Sequence, residues 1–138
     1  MNIAFSDGVS ERYGAVIAAD GIYSQTRQSL FPDAPKPAFT GQGVWRYSLP
    51  RPAELNGLCV FNGPTGVGLV PMSPDTMYLF VTTPEPDNLR YSEDTMAATM
   101  RAKLSGIPAA QIRELASQIV DDSGVVYRPL EAFLLDGA

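Results

Sequence analysis

The sequence contains no histidine and a single cysteine, Cys59, among its 138 residues. Ser-His-Asp triads, Cys-His pairs and His/Cys zinc sites all need these side chains, so the composition excludes all three kinds of site. The lone cysteine also excludes an internal disulfide, which is typical of a reducing cytoplasm, and we predict a small core residue at this position. Any chemistry must therefore come from a cofactor or from carboxylates.

Positive charge is also scarce, with 10 Lys and Arg against 15 Asp and Glu and a formal net charge of -5. The basic residues are scattered, so the sequence contains no basic cluster that would bind a nucleic-acid backbone or an anionic membrane surface. No apolar run is long enough to cross a bilayer, and the N-terminus lacks the basic and apolar regions of a signal peptide. We therefore expect a soluble cytoplasmic protein whose partners include neither nucleic acid nor membrane.

Secondary-structure patterns divide the chain at a proline-rich stretch. Residues 2–5, an Asp-Gly turn and an extended stretch from Tyr13 predict a hairpin, because Asp-Gly favours tight turns. The run 15–19 is apolar on both alternating faces, which is typical of a strand buried in a parallel sheet, and a short helix follows over 24–30. Three prolines within 32–37 end that helix. We therefore place a domain boundary there and predict domains 1–31 and 32–138.

The second domain has an antiparallel pattern followed by helices. Four extended runs are separated by turn residues and predict a meander, at 43–49, 58–61, 67–71 and 77–83. Ser92, followed by two acidic residues, predicts a helix that ends at Gly106, and Pro108 suits the first turn of another helix. A last strand is expected over 125–133. The predicted fold class is α+β, with a mixed, mostly antiparallel sheet and flanking helices, preceded by a hairpin and one strand-helix piece.

One stretch after the apolar run points to a ligand. Asp20 and Gly21 end the run, Ser24 stands where a helix begins, and Arg27 follows three residues later. Ligands on open α/β sheets bind at the carboxyl ends of strands, where glycine allows close approach and helix N-termini offer N–H groups to anions. Asp20 suits a ribose hydroxyl, Ser24 would cap the helix, and Arg27 could pair with Asp20 or approach a phosphate. An ordinary Asp-Gly turn is the alternative interpretation.

The pattern Ala-Asp-Gly-x-x-Ser-x-x-Arg resembles the DG fingerprint of the group A flavoprotein monooxygenases, the family of para-hydroxybenzoate hydroxylase. All four defining positions are present, as Asp20, Gly21, Ser24 and Arg27. The resemblance implies FAD as cofactor, with Asp20 at the ribose and Arg27 on the nucleotide side, while Gly21 and Ser24 shape the loop. It also implies NADPH or NADH as reductant, and it makes domain 1–31 the C-terminal part of a Rossmann-like FAD-binding domain.

Later segments resemble the substrate-binding domain of the same family, which we assign to 32–138. The stretch 41–47 resembles the strand that opens the sheet above the aromatic substrate, and period-two alternation puts Arg46 and Ser48 on one face. These two residues are candidate substrate contacts, with Arg46 binding a carboxylate or phenolate; a solvated or structurally paired arginine is the alternative. Tyr127, in the strand that returns to the FAD domain, is the third candidate, with interdomain packing as its alternative.

Two other FAD motifs of the family are missing from the chain. No G-x-G-x-x-G loop is present, and the sequence stops at 135–138, where the family continues into a Gly-Asp-Ala-rich motif. The Gly-rich run 63–71 lacks Gly-Lys-Ser/Thr and predicts a strand-turn-strand passage rather than a phosphate loop. We therefore expect an internal fragment in which the partners of strand 15–19 lie upstream of residue 1, since parallel strands need crossover connections.

The resemblance implies that the parent protein is an FAD-dependent monooxygenase that hydroxylates a small aromatic molecule through a flavin C4a-hydroperoxide, and we expect the isolated fragment to be inactive. We predict no catalytic side chain and no metal ligand, because the flavin performs the chemistry while protein groups position the ring and exclude water. Two alternatives from other classes are a stand-alone small-molecule binding module and a non-catalytic interaction domain with an exposed apolar patch. An unpaired strand at 15–19 would also offer an edge for self-association.

Overall fold

The computed structural model describes residues 1–63 and 65–135. They form two compact units, one made of Met1–Ala38 with the residues from Ala132 onward, the other of Phe39–Glu131. Pro64 of the Gly-rich run and the last three residues, where we expected the family pattern to break off, lie outside the described residues. The identity of the two units as FAD-binding and substrate-binding domains stays a prediction.

The first unit contains a two-stranded hairpin and a short helix. Strand β1 (Asn2–Ala4) pairs antiparallel with β2 (Ser10–Arg12), so the predicted hairpin is confirmed, with its second strand beginning before Tyr13. Helix α1 (Gln25–Leu30) also forms where it was predicted, and it ends directly before the proline-rich stretch.

The apolar run 15–19 forms no strand, contrary to our prediction of a strand buried in a parallel sheet. All five side chains are exposed, and Ile17 keeps 91% of its surface accessible. A strand exists only when its N–H and C=O groups pair with a neighbour, and none of the strands in 1–63 and 65–135 pairs with this run. The prediction is therefore wrong for this structure, because apolar side chains do not by themselves supply the partner that a strand needs.

The second unit is built on a five-stranded sheet with the strand order β4-β5-β6-β3-β7. Its strands are β3 (Ala38–Pro50), β4 (Cys59–Phe61), β5 (Gly66–Pro71), β6 (Thr76–Pro84) and β7 (Val126–Ala132). The pairs β4-β5, β5-β6 and β6-β3 are antiparallel. All the predicted strands of this region are confirmed, but they do not form one continuous meander. The long strand β3 pairs with β6 over the whole of β6, from Thr76 to Pro84, whereas the next strand in sequence, β4, spans only 3 residues.

Two helices pack against one face of this sheet. They are α2 (Met96–Leu104), preceded by a 3-10 turn at Glu93–Thr95, and α3 (Ala110–Ser117); a second 3-10 turn at Asp122–Gly124 leads into β7. The core between helices and sheet contains Trp45, Leu49, Val67, Leu69, Met77, Leu79, Val81, Met100, Leu104, Ile112, Leu115 and Ile119. The α+β class with an antiparallel sheet and flanking helices is thereby confirmed. None of the described helices has the length and apolar character to cross a membrane.

The start of α2 differs from the prediction in one respect. Ser92 makes no capping bond to the helix backbone, and its hydroxyl donates to Asp94 instead. The capping contact comes from the second 3-10 turn, where Asp122 Oδ1 accepts from the Ala97 N–H at 2.6 Å. This bond ties the start of α2 to the segment that enters β7.

Candidate functional site

The DG stretch lies in the first unit, directly before α1. Asp20 accepts a hydrogen bond from the side chain of Ser24 and one from the Thr26 N–H at 3.0 Å, and these two bonds lower the pKa of Asp20 to about 2. Gly21 has a φ of 78° at the turn and open space where a side chain would stand, a conformation that favours glycine. The stretch therefore presents an ionised, exposed carboxylate beside an unobstructed piece of backbone.

Ser24 and Arg27 hold this turn against the helix. Ser24 is buried and is the N-cap of α1, with its hydroxyl accepting from the Arg27 N–H at 2.9 Å, as predicted. The Arg27 guanidinium donates to the Ile22 carbonyl at 2.5 Å and lies 3.8 Å from the centroid of the Phe133 ring. The expected pair between Arg27 and Asp20 is not formed. A contact from Arg27 to a nucleotide stays a prediction, for which its remaining N–H donors are available.

One face of the five-stranded sheet packs against the helices, and the other carries side chains that are exposed or half-buried except for Val44, which stands opposite Thr82 and is buried. We call the second one the open face and define it by Arg46, Ser48, Tyr78, Phe80 and Thr82. Trp45 and Leu49, at the alternate positions of β3, are buried in the core. The predicted alternation along β3 is confirmed.

Arg46 has free hydrogen-bonding capacity on the open face. It is exposed, it stands opposite Phe80, and its guanidinium carbon is 5.8 Å from the centroid of the Tyr78 ring. In the described part of the chain, no acceptor within hydrogen-bonding range and no carboxylate pairs with this guanidinium. Ser48, two residues along, stands opposite Tyr78. The structurally paired alternative for Arg46 is therefore not what the structure shows, and its planar donors are free to bind an anion.

Tyr127 lies on the packed face of the sheet. Its ring centroid is 4.5 Å from that of Trp45 and 5.0 Å from that of Tyr91, and its hydroxyl is buried with no hydrogen-bond partner in the described structure. The structure thus brings Arg46 and Ser48 together and separates Tyr127 from them by the thickness of the sheet. A substrate contact from Tyr127 stays an untested prediction.

A buried polar network next to Tyr127 was not predicted. The Glu85 side chain is 3% exposed; its Oε1 accepts from Thr83 Oγ1 at 2.6 Å and from Lys103 Nζ at 2.7 Å, and its Oε2 accepts from the Tyr91 hydroxyl at 2.5 Å. Thr83 in turn accepts from Trp45 Nε1 at 3.2 Å. Period-two alternation could have found it, because Glu85 continues the buried positions of β6 at Met77, Leu79, Val81 and Thr83.

The ionisation of this network follows from its hydrogen bonds. Burial by itself would raise the pKa of Glu85, but the bonds from Lys103, Thr83 and Tyr91 outweigh burial and lower it below its ordinary value. Burial would lower the pKa of Lys103, yet its bond to Glu85 raises it. Burial and the adjacent carboxylate both raise the pKa of Tyr91. At neutral pH the network is therefore an ion pair between Lys103 and Glu85, with the neutral hydroxyl of Tyr91 bonded to it.

An open cleft of about 1380 Å³ borders the packed side of the second unit, along the loop 88–94 and the segment 120–131. Its lining includes both signs of charge, with two arginines, Arg90 and Arg128, and five carboxylates, at Glu93, Asp94, Asp121, Asp122 and Glu131. No group of three metal-ligating side chains occurs anywhere in the described ranges. The described lining of the cleft therefore does not indicate one class of ligand or reaction.

Comparison with known proteins places this fold among flavoproteins. No family model matches the chain. Two proteins of Streptomyces platensis, the 3-amino-4-hydroxybenzoate 2-monooxygenases PtmB3 and PtnB3, are each 31% identical over 115 residues, which is 77% of this chain and 28% of each of those proteins. The chain thus spans less than a third of the length of the curated relatives that it matches.

Two solved structures have the same fold over nearly all of the chain. HpxO of Klebsiella pneumoniae, complexed with FAD and uric acid, matches with a TM-score of 0.71 and 25% identity, over 94% of this chain and 34% of that one. PqsL of Pseudomonas aeruginosa, a probable FAD-dependent monooxygenase, matches with a TM-score of 0.68 and 21% identity, over 98% and 38%. The fold described above therefore recurs as about a third of larger FAD-binding proteins.

Proposed function

We propose that this chain is part of an FAD-dependent monooxygenase that oxidises a small aromatic molecule, and that it supplies a substrate-facing sheet together with one contact region for FAD. The ligands named for similar proteins support the substrate class. They are 3-amino-4-hydroxybenzoate, uric acid and, in PqsL, 2-aminobenzoylacetate, each of which contains a planar ring and an acidic group. The fragment nature of the chain, its inactivity in isolation and its residue roles are parts of the same proposal.

The single observation that carries the substrate part is the unpaired Arg46 on the open face. A guanidinium binds a carboxylate through two parallel hydrogen bonds, and Ser48 on the same face adds a hydroxyl donor. The rings of Tyr78 and Phe80 provide flat apolar surface beside Arg46 for the ring of the substrate. Arg46 and Ser48 thus bind and orient the acidic end of the molecule, and we assign Tyr127 to packing.

The DG stretch has features that fit FAD. The Asp20 carboxylate stays ionised at neutral pH and accepts hydrogen bonds, which suits a ribose hydroxyl, and the open backbone at Gly21 permits close approach. Ser24 holds the turn on α1, and Arg27 offers its remaining donors to the nucleotide. When bound, FAD would supply the activation of oxygen, with NADPH or NADH as the source of electrons, and one oxygen atom would pass to the aromatic ring.

The substrate part is tested by titrating 3-amino-4-hydroxybenzoate into the full chain and following backbone resonances by NMR. We expect shifts at β3 and β6 on the open face, and an affinity at least ~10-fold weaker for Arg46→Gln, because a charge-assisted bidentate pair is lost. Arg113→Gln is the matched control, since Arg113 is exposed on α3 and donates to the Pro108 carbonyl. Equal affinity of wild type and Arg46→Gln would contradict the assignment.

The FAD part is tested by a titration that follows flavin fluorescence, and by gel filtration of the chain mixed with FAD. We expect no flavin to stay with the isolated chain, because one FAD motif leaves most of the cofactor without contacts. Retention of yellow protein would refute the view that the chain needs the rest of a longer protein. In a longer protein, Asp20→Asn is expected to weaken FAD binding.

The exposed run 15–19 favours one further property, self-association of the isolated chain. In a longer protein we propose that this run pairs as a strand in a parallel sheet. Without such partners, Val16 and Ile17 expose apolar surface. Analytical ultracentrifugation is expected to show concentration-dependent association that Ile17→Lys reduces; a strictly monomeric wild type would remove this property from the proposal.

A further inference from the structure

We infer that Gly68 and Phe80 form a pair that determines specificity, giving the open face a preference for flat aromatic acids over saturated acids of the same charge. The inference rests on the substrate site proposed around Arg46. It concerns a glycine of the Gly-rich run and an aromatic residue of β6, neither of which the sequence patterns marked as a site residue.

The Phe80 ring lies directly over Gly68. The two residues stand opposite each other in the β5-β6 pair. A Cβ at position 68 would lie 2.1 Å from Phe80 Cε1 and 2.4 Å from Cζ, far inside van der Waals contact. Only glycine therefore lets this ring occupy its place on the sheet.

The position of the ring follows from the strand order. Phe80 stands between Gly68 on β5 and Arg46 on β3. Neighbouring strands are about 4.8 Å apart, so a ring that leans over Gly68 leans away from Arg46. The Tyr78 ring lies on the same face of β6, with its centroid 6.3 Å from that of Phe80 and 5.8 Å from the Arg46 guanidinium carbon.

This arrangement selects for shape as well as charge. A carboxylate held by Arg46 directs the rest of the ligand across β6 toward the Phe80 ring. A flat aromatic ring gains stacking or edge contacts there, whereas a saturated ring is thicker and has no π face. Gly68 acts through Phe80, so it is a positioning residue, while Phe80 contacts the ligand.

The test uses the full chain and two probes of equal charge, 4-hydroxybenzoate and cyclohexanecarboxylate, each titrated to millimolar concentration and followed by NMR. We expect Phe80→Leu to weaken 4-hydroxybenzoate binding about three- to tenfold while leaving cyclohexanecarboxylate unchanged. Gly68→Ala is expected to do the same, because the added methyl group displaces the ring. Arg46→Gln should weaken both probes.

Weaker binding by Gly68→Ala could come from displacement of the Phe80 ring or from disruption of the sheet, and a double variant distinguishes these two causes. Gly68→Ala with Phe80→Leu removes the steric conflict, so we expect it to bind both probes as Phe80→Leu alone does, with a circular dichroism spectrum like that of wild type. If Gly68→Ala alone fails to fold, recovery of the fold in the double variant supports the contact, and Phe80→Leu still tests the preference.

The outcomes distinguish a failure of the Gly68–Phe80 pair from a failure of the substrate site proposed around Arg46. Loss of both probes in Arg46→Gln, with unchanged aromatic preference in Phe80→Leu and Gly68→Ala, would overturn the role of the pair and leave the substrate site standing. A wild type that binds neither probe, or an Arg46→Gln variant that binds as wild type does, would overturn the site and the pair together.

Discussion

Two stretches of this chain, β6 and the run 15–19, are both rich in apolar residues but differ in how far they are buried. In β6, Met77, Leu79 and Val81 are completely buried, whereas in the run 15–19 Ile17 keeps 91% of its surface exposed. Strand β6 has hydrogen-bonded neighbours on both sides and helices against one face, and the run has no described strand beside it. The difference teaches that burial in a sheet follows from paired backbone, with side-chain hydrophobicity acting only once the pairing exists.

The largest expected effect comes from truncating a buried side chain of β6, with the same kind of change in the run 15–19 as its control. We expect Leu79→Ala to reduce the free energy of unfolding by about 2–5 kcal/mol, because it opens a cavity in the core. Ile17→Ala should change it by less than about 0.5 kcal/mol, since the side chain has almost no contacts to lose. Urea unfolding followed by circular dichroism measures both. Similar losses for the two variants would break the comparison.

The next largest effect comes from removing the charge of the lysine in the second unit, with the lysine of the first unit as its control. Lys103→Met leaves the buried Glu85 carboxylate without its counter-charge, and we expect a loss of about 2–3 kcal/mol at neutral pH. The matched change Lys36→Met, at an exposed position in the first unit, should cost less than about 0.5 kcal/mol. If both variants are equally stable in urea, the Lys103–Glu85 ion pair contributes nothing to stability, and the two lysines do not differ as expected.

A third test uses two carboxylates that both have lowered pKa values. The stabilisation that Glu85 gives is fully present above its ordinary pKa of 4.5 and is lost as the pH falls through its lower folded value. We therefore expect the second unit, which contains the five-stranded sheet and which we call the sheet unit, to lose stability below about pH 4.5 in wild type. In Glu85→Gln its stability should depend less on pH. Asp20→Asn should leave the curve of the sheet unit unchanged, because Asp20 lies in the other unit. Thermal unfolding between pH 2 and pH 7 records the three curves.

The smallest expected effect distinguishes two partly buried tyrosines of the packed face, Tyr91 and Tyr127. The Tyr91 hydroxyl donates to Glu85, so Tyr91→Phe should cost about 1–2 kcal/mol. The Tyr127 hydroxyl is buried without a partner, so Tyr127→Phe should be neutral or stabilise the protein by up to about 1 kcal/mol. Urea unfolding of the two variants provides the measurement. Equal losses would mean that the Tyr127 hydroxyl has a partner in solution.

The sequence predicted the turns, helix caps, helices and strand faces that are determined by residues close together in the chain. The Asp-Gly turn, the Ser24 cap, the helices over α2 and α3 and the alternation around Arg46 all depend on residues close in sequence, and all are confirmed. The pairing of β3 with β6 depends on strand lengths and on the entire sheet, so local patterns pointed to a simple meander instead.

The candidate site shows the same limit. Alternation identified the face of Arg46 and Ser48, but it says nothing about β7, whose Tyr127 turned out to lie on the opposite side of the sheet. The Glu85 network joins β6, the loop at Tyr91 and helix α2, three segments whose proximity exists only after folding. Likewise, the ring of Phe80 over Gly68 needs the β5-β6 register, which neither residue encodes alone.

The burial of Trp45 has an optical consequence. It is the single tryptophan of the chain, it is completely buried, and two tyrosine rings lie within 5 Å of it. Light absorbed by those tyrosines passes efficiently to the indole at such short separations, and the emission of a dry indole is blue-shifted. Tryptophan fluorescence therefore reports on the packing of the second unit, in which Trp45 lies. Unfolding of the second unit would expose the indole to water and shift this emission to longer wavelengths.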